Sequence, residues 1–171
     1  MTVSTTLVAT LGGQPQIITF TLDLLLAREE RIDQVVVVFP SSNERYSQAY
    51  RKLAAEFPGD FYTYGKCACH FRAVPIRTGD LPVEDAFTPR QVAAVHETFY
   101  RLLRELKTQS QQLHLSLSGG RRIMSLLALE AAMQYFTPTD QIWHIFTPEQ
   151  VTKGVRDGAS MHMPAESGVQ L

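Results

Sequence analysis

The residues best suited to chemistry in this chain stand together in one run, Ser118-Gly119-Gly120-Arg121-Arg122. Two adjacent glycines permit a positive φ and let the backbone approach a ligand closely. The run leads into a strongly apolar stretch, residues 123–136, that reads as a helix. A helix starting there aims unpaired N–H groups and about half a unit of positive charge at the same spot. Arg121 and Arg122 add permanent charge and fork-shaped donors that fit phosphate oxygens. An arginine at a helix N-terminus opposes the dipole by about 0.3–1 kcal/mol, so two of them call for an anion to offset them. The expectation is a bound phosphate group. Neither the GxxxxGK[ST] nor the GxGxxG spacing is present, which sets this turn apart from Walker loops and dinucleotide fingerprints.

Two further turns carry weaker signals of the same kind. Thr10, Leu11, Gly12, Gly13 and Gln14 follow a short apolar run, and their hydroxyl, glycines and amide suit contacts to a base or ribose. Ser41 and Ser42, after Pro40, are a third candidate, and either serine would equally serve as a plain helix cap. Cys67, Cys69 and His70 form a C-x-C-H cluster that lacks a fourth ligand and the paired C-x-x-C spacing of a zinc site, so no metal is assigned. They read instead as small residues entering a strand. The five histidines are scattered, and His114 and His144 fall inside strand patterns, where a packed, hydrogen-bonded role is expected. No nucleophilic triad is visible.

The elements that must position these turns follow from the hydrophobic pattern. Residues 6–10 read as a strand, and residues 17–28 as a helix with Pro15 near its start. The run QVVVVF at 34–39 lacks polar alternation, as a strand covered on both faces of a parallel sheet does. A helix follows to about Phe57, then a weaker strand at 70–76 whose Pro75 suggests an edge, and a loop at 78–84. Thr88-Pro89 opens a helix to about Lys107; QLHLSL at 112–117 and QIWHIF at 141–146 read as strands around the apolar helix. The alternation predicts one α/β domain over residues 1–171, Rossmann-like, with a mostly parallel central sheet and helices on both faces. The closing GVQL at 168–171 looks like a strand cut short, as in the front part of a longer protein.

Composition narrows the partners. The 171 residues are 44% hydrophobic and 19% charged, with a net charge of -1. That balance gives no general attraction to DNA or to anionic membrane, so a nucleotide needs a local cationic cluster. The N-terminus lacks the pattern of a signal peptide and no run approaches about 20 apolar residues, which points to the cytoplasm.

The opening LVATLGGQPQIIT, the unit LHLSLSGGRRIMSLLALEAAM and the following DQIWHIFTP are similar to the CRISPR-associated Rossmann fold, or CARF, domain of type III CRISPR accessory proteins. The resemblance covers most of the chain and is weakest over residues 66–88. It implies a homodimer that binds one cyclic oligoadenylate, usually the four- or six-membered ring and here the four-membered one first, across its two-fold axis. Gly119 and Gly120 would cradle ring phosphates, and residues 10–14 would contact adenosine. It further implies a metal-independent ring nuclease, without cofactor, in which each ribose 2′-hydroxyl attacks the neighbouring phosphorus. Ser118 would fix the phosphate, and Arg121 or Arg122 would stabilise the developing charge. The family often carries Lys after the glycines where this chain has Arg-Arg, and arginine is a poor proton donor. Two other readings stand beside this one: a CARF sensor that binds without cutting and passes occupancy to an effector, and a Rossmann-like domain for a different nucleotide or sugar phosphate.

Overall fold

The four valines of residues 35–38 are wholly buried and alternate between two apolar cores, so the chain must carry helices on both sides of this strand. The computed structural model describes residues 4–109, 111–164 and 166–171. In chain order the elements are β1 (Thr5–Thr10), α1 (Gln16–Ala27), β2 (Gln34–Pro40), α2 (Glu44–Ala54), β3 (Phe61–Tyr62), β4 (Cys67–Ala68), β5 (His70–Thr78), β6 (Leu81–Pro82), α3 (Pro89–Thr108), β7 (Gln112–Ser116), α4 (Arg122–Tyr135), β8 (Gln141–Trp143) and α5 (Glu149–Gly154). The main sheet has the order β6-β5-β2-β1-β7-β8, parallel throughout except for the short β6. The Rossmann-like α/β fold expected from the sequence is therefore present.

Each core has its own helix pair. Val36 and Val38 face Val95, Phe99 and Leu103 of α3 and Met124 and Ala128 of α4. Val35 and Val37 face Ile18 and Leu22 of α1 and Ala49 and Leu53 of α2. A third cluster seats Ile145, Val151, Val155 and Val169 on Phe20, which docks the C-terminal segment against α1. The chain reverses direction across the sheet between β1 and β7. Ligands of open α/β sheets bind outside the strand ends at such a switch point, and both glycine turns emerge there.

Several local expectations need correction. α2 is capped by Asn43, whose side chain accepts from the Arg45 N–H, not by Ser41 or Ser42. It ends at Ala54, because Phe57 turns inward to stack on Tyr62 and Phe71. The segment read as a loop at 78–84 contains β6, and residues 61–68 hold the small antiparallel pair β3–β4. β8 stops at Trp143 rather than Phe146. Two residues on, the Ile145 N–H donates to Ser118 Oγ at 2.7 Å, and Phe146 meets Gln170 in a single antiparallel bridge. Thr88 does cap α3, in a reciprocal box with Gln91, as its sequence announces. No helix among the described residues is long and apolar enough to cross a membrane.

Candidate ligand cleft

β1 and β7 pair side by side, so the turns that leave them are forced into contact. Thr10 is fully buried, and its hydroxyl donates to the Gly119 carbonyl at 2.5 Å. A Cβ on Gly119 would run into the Thr10 carbonyl oxygen, and one on Gly12 would lie 2.8 Å from the Gly120 Cα. Gly120 itself has φ +71°, the left-handed region that favours glycine. Much of the glycine content therefore serves the approach of one turn to the other. The result is a single rigid lip at the carboxyl edge of the sheet.

Below this lip is a cavity of about 430 Å³ lined by Gly12, Gly13, Gln14, Ile17, Arg45, Tyr46 and residues 118–121. That is within the usual range of ligand pockets, about 300–1,000 Å³. α4 starts here with Arg121 as an extended N-cap that offers no side-chain cap. The N–H groups of residues 119–123 donate to no protein acceptor among the described residues. They form the dipole-backed donor array expected of an anion site.

The two arginines have different surroundings. Arg121 Nε and Nη2 donate to both oxygens of Asp85, at 2.6–3.2 Å, and its guanidinium lies 4.2 Å from the Phe87 ring centroid. Burial pushes the Asp85 carboxyl up, but hydrogen bonds from Arg121 and the Ala86 N–H outweigh it and hold it below the ordinary carboxylate value. The anion that offsets Arg121 is thus a side chain of the protein. Arg122 is exposed, joins no ion pair among the described residues and does not line the cavity; it stands in the first turn of α4, next to the array in sequence.

The remaining sequence candidates separate clearly. Leu11 is wholly buried in the α1–α2 core and its N–H donates to the Val38 carbonyl, so its side chain does not reach the cleft. Gln14 is held by Asp157, to which it donates from Nε2 and from which it accepts a backbone N–H. Ser118 Oγ is engaged by the Ile145 N–H, with His144 Nδ1 3.3 Å away. Ser41 and Ser42 do not line the cavity.

Sequence reasoning missed three contributors. Arg45 bridges to Asp157 at 3.2 Å and packs over Gly13 so closely that a Cβ there would collide with it. Its place in the first turn of the helix after β2, at the same sheet edge, is the signal that could have found it. Asp85 had none, being 36 residues from Arg121. His144 is exposed beyond the end of β8, unlike His114, which is buried and accepts from Trp143 Nε1 at 3.0 Å. Cys69 is buried, its thiol pushed up to about 12 chiefly by that burial. A larger hollow of about 550 Å³ lies between β5 and α3, but its arginines are satisfied by Glu105, Glu97 and the Asp80 carbonyl. It offers no comparable donor array.

Residues 14–171 match the family described as CRISPR-associated protein NE0113 (Cas_NE0113). The chain belongs to this family. Membership in the CRISPR-associated NE0113 family bears out the CARF resemblance read from the sequence. Curated proteins give no sequence match. Among solved structures the NE0113-family chain is similar to protein VC1899 from Vibrio cholerae, with a TM-score of 0.54, 16% identity, and coverage of 82% of this chain and 30% of that one. It is also similar to Enterococcus italicus Csm6 bound to cyclic hexa-2′-fluoro-hexa-dAMP, with a TM-score of 0.52, 13% identity, and coverage of 87% and 35%. The chain thus spans about a third of the length of these two structures.

Proposed function

We propose that the protein binds a cyclic oligoadenylate in this cleft, with the four-membered ring as first choice, across the two-fold axis of a homodimer. The observation that carries the proposal is the donor array of residues 119–123, backed by the α4 dipole; the exposed Arg122 follows it in sequence and would swing onto a bound phosphate. A cyclic oligonucleotide presents a phosphate every few ångströms, which such an array suits. Csm6, a protein of similar fold, has been solved with a ligand of that class. A ring with two-fold symmetry is matched by two copies of one cleft. Leu126 and Met133, 61% and 77% exposed on α4, supply an apolar face leading away from the cleft that suits an isologous contact.

A second reading adds cleavage, and His144 is the observation that favours it. Its exposed imidazole stands beside Ser118 at the strand end, where a proton could be taken from a ribose 2′-hydroxyl or given to the leaving 5′-oxygen. Attack on the adjacent phosphorus would open the ring to a 2′,3′-cyclic phosphate and a 5′-hydroxyl, with no water consumed. The backbone array and Arg122 would stabilise the charge gathering on the phosphate, with Arg121 held beside it by Asp85. The carboxylates that pair with cleft-lining arginines, Asp85 and Asp157, are thereby engaged, and cleavage in this reading uses no metal. Incubation with cyclic tri-, tetra- and hexa-adenylate in EDTA, followed by chromatography, separates the readings. A 2′,3′-cyclic phosphate product supports the nuclease. Intact ring recovered from a tight complex leaves a sensor, and absence of binding at every ring size refutes both.

A further inference from the structure

Phe87, between β6 and α3, is 69% exposed and belongs to none of the apolar cores. An exposed phenylalanine is ordinary by itself, but this one is pinned from both sides. Its own N–H and that of Thr88 donate to Gln91 Oε1, at 3.1 and 3.0 Å, inside the capping box of α3. Two residues earlier, Asp85 is fixed by Arg121, by the Ala86 N–H at 2.8 Å and by the Tyr46 hydroxyl at 3.3 Å. The buried Val83 and Ala86 anchor the loop to the core without any contribution from the ring. The Arg121 guanidinium stacks on Phe87, and its exposure leaves the rest of the ring to solvent. Arg121 belongs to the glycine turn, so the phenyl ring stands one side chain away from the donor array.

We infer that Phe87 is a stacking platform for one adenine base of the ligand, at the rim of the cleft. This rests on the cleft reading above. A phosphate alone would have no use for the ring, whereas a nucleotide held by its phosphate has a base to place within such reach. Aromatic side chains beside a cationic groove capture bases by offset stacking, and a purine offers more area than a pyrimidine. The guanidinium locked on Phe87 by Asp85 keeps the ring oriented, so little side-chain freedom is lost when a base arrives.

The test is the affinity for cyclic tetra-adenylate and cyclic tetra-uridylate of the wild type, Phe87→Ala, Phe87→Trp and Arg122→Ala. Phe87→Ala should weaken adenylate binding about 5- to 150-fold and shrink the adenylate-to-uridylate preference about threefold or more. Phe87→Trp should restore both. Arg122→Ala should weaken both rings and leave their ratio unchanged. If the wild type binds the ring and Phe87→Ala binds it equally well, the inference fails and the cleft reading stands. If Phe87→Ala changes only the oligomeric state, the ring packs between copies of the chain and the inference is wrong. A wild type that binds neither of these rings, nor cyclic tri- or hexa-adenylate, overturns both readings.

Discussion

Arg121 and Arg122 are adjacent in sequence, yet the structure predicts opposite consequences for their removal. Arg121→Ala strips the Asp85 carboxylate of contacts at 2.6, 2.9 and 3.2 Å and leaves it the Ala86 N–H and the Tyr46 hydroxyl. The Asp85 side chain is only 5% exposed, and leaving a buried charge short of partners costs several kcal/mol in the extreme. The Arg121 side chain is 45% exposed, so water takes over part of its role and the cost falls to about 1–2 kcal/mol. For a chain of this length that lowers Tm by about 2–8 °C. Arg122→Ala removes no ion pair and relieves the α4 dipole of a like charge, so Tm should hold or rise slightly. Its effect belongs to the ligand. Loss of one charge-assisted contact, about 1.5–3 kcal/mol, weakens cyclic oligoadenylate binding about 10- to 150-fold. The double variant Asp85→Asn/Arg121→Gln should recover most of the lost Tm, because no unpaired charge remains. Thermal denaturation and calorimetric titration read the two quantities separately. If Arg121→Ala leaves Tm unchanged and weakens binding more than Arg122→Ala does, the assignment of these roles is refuted.

The contact between the turns predicts that Gly12→Ala destabilises. The added Cβ meets Gly120 Cα at 2.8 Å and Gly120 N at 3.0 Å, and backbone cannot swing aside. The expected cost is about 1–3 kcal/mol, seen as a Tm drop of about 2–12 °C, and a Tm within 1 °C of wild type would contradict it. His114 predicts a pH effect. Burial holds its imidazole below the ordinary value, and its Nδ1 accepts from Trp143, so a proton added there would face another N–H. Its contribution to stability is full above about pH 6.5 and is lost as pH falls from there toward the depressed folded value. The urea midpoint of His114→Gln should decline less than that of wild type between about pH 6.5 and 5; parallel declines would exclude His114 as the cause. On α4, Leu126→Glu with Met133→Glu should convert a dimer to monomers in light scattering, and an unchanged mass would move the interface elsewhere.

Much of the positioning of the cleft was legible in the sequence because it rests on local chemistry. The valine run at 35–38 gives a strand buried on both faces only in a covered parallel sheet, and glycines after two strands mark turns at one sheet edge. Placing the residue 10–14 turn beside the residue 118–122 turn needed only the expected strand order, and β1 does pair with β7. Side-chain partners were illegible for the opposite reason. Nothing near residue 121 announces that Asp85 neutralises it. The strand pattern of QIWHIF gave no sign that Ser118 would take the Ile145 N–H and that the ladder would end at Trp143, which is what exposes His144. Asn43 outcompeted the serines as cap because the helix starts one residue later than the Pro-Ser-Ser break suggests.

Whether the glycine-lined cleft takes one cyclic oligoadenylate per pair of chains is read by calorimetric titration with cyclic tetra-adenylate. Saturation is expected at one ring per two chains, with affinity reduced about tenfold or more in Arg122→Ala. Saturation at one ring per chain, equal affinity in Arg122→Ala, or no heat of binding with the wild type would contradict it.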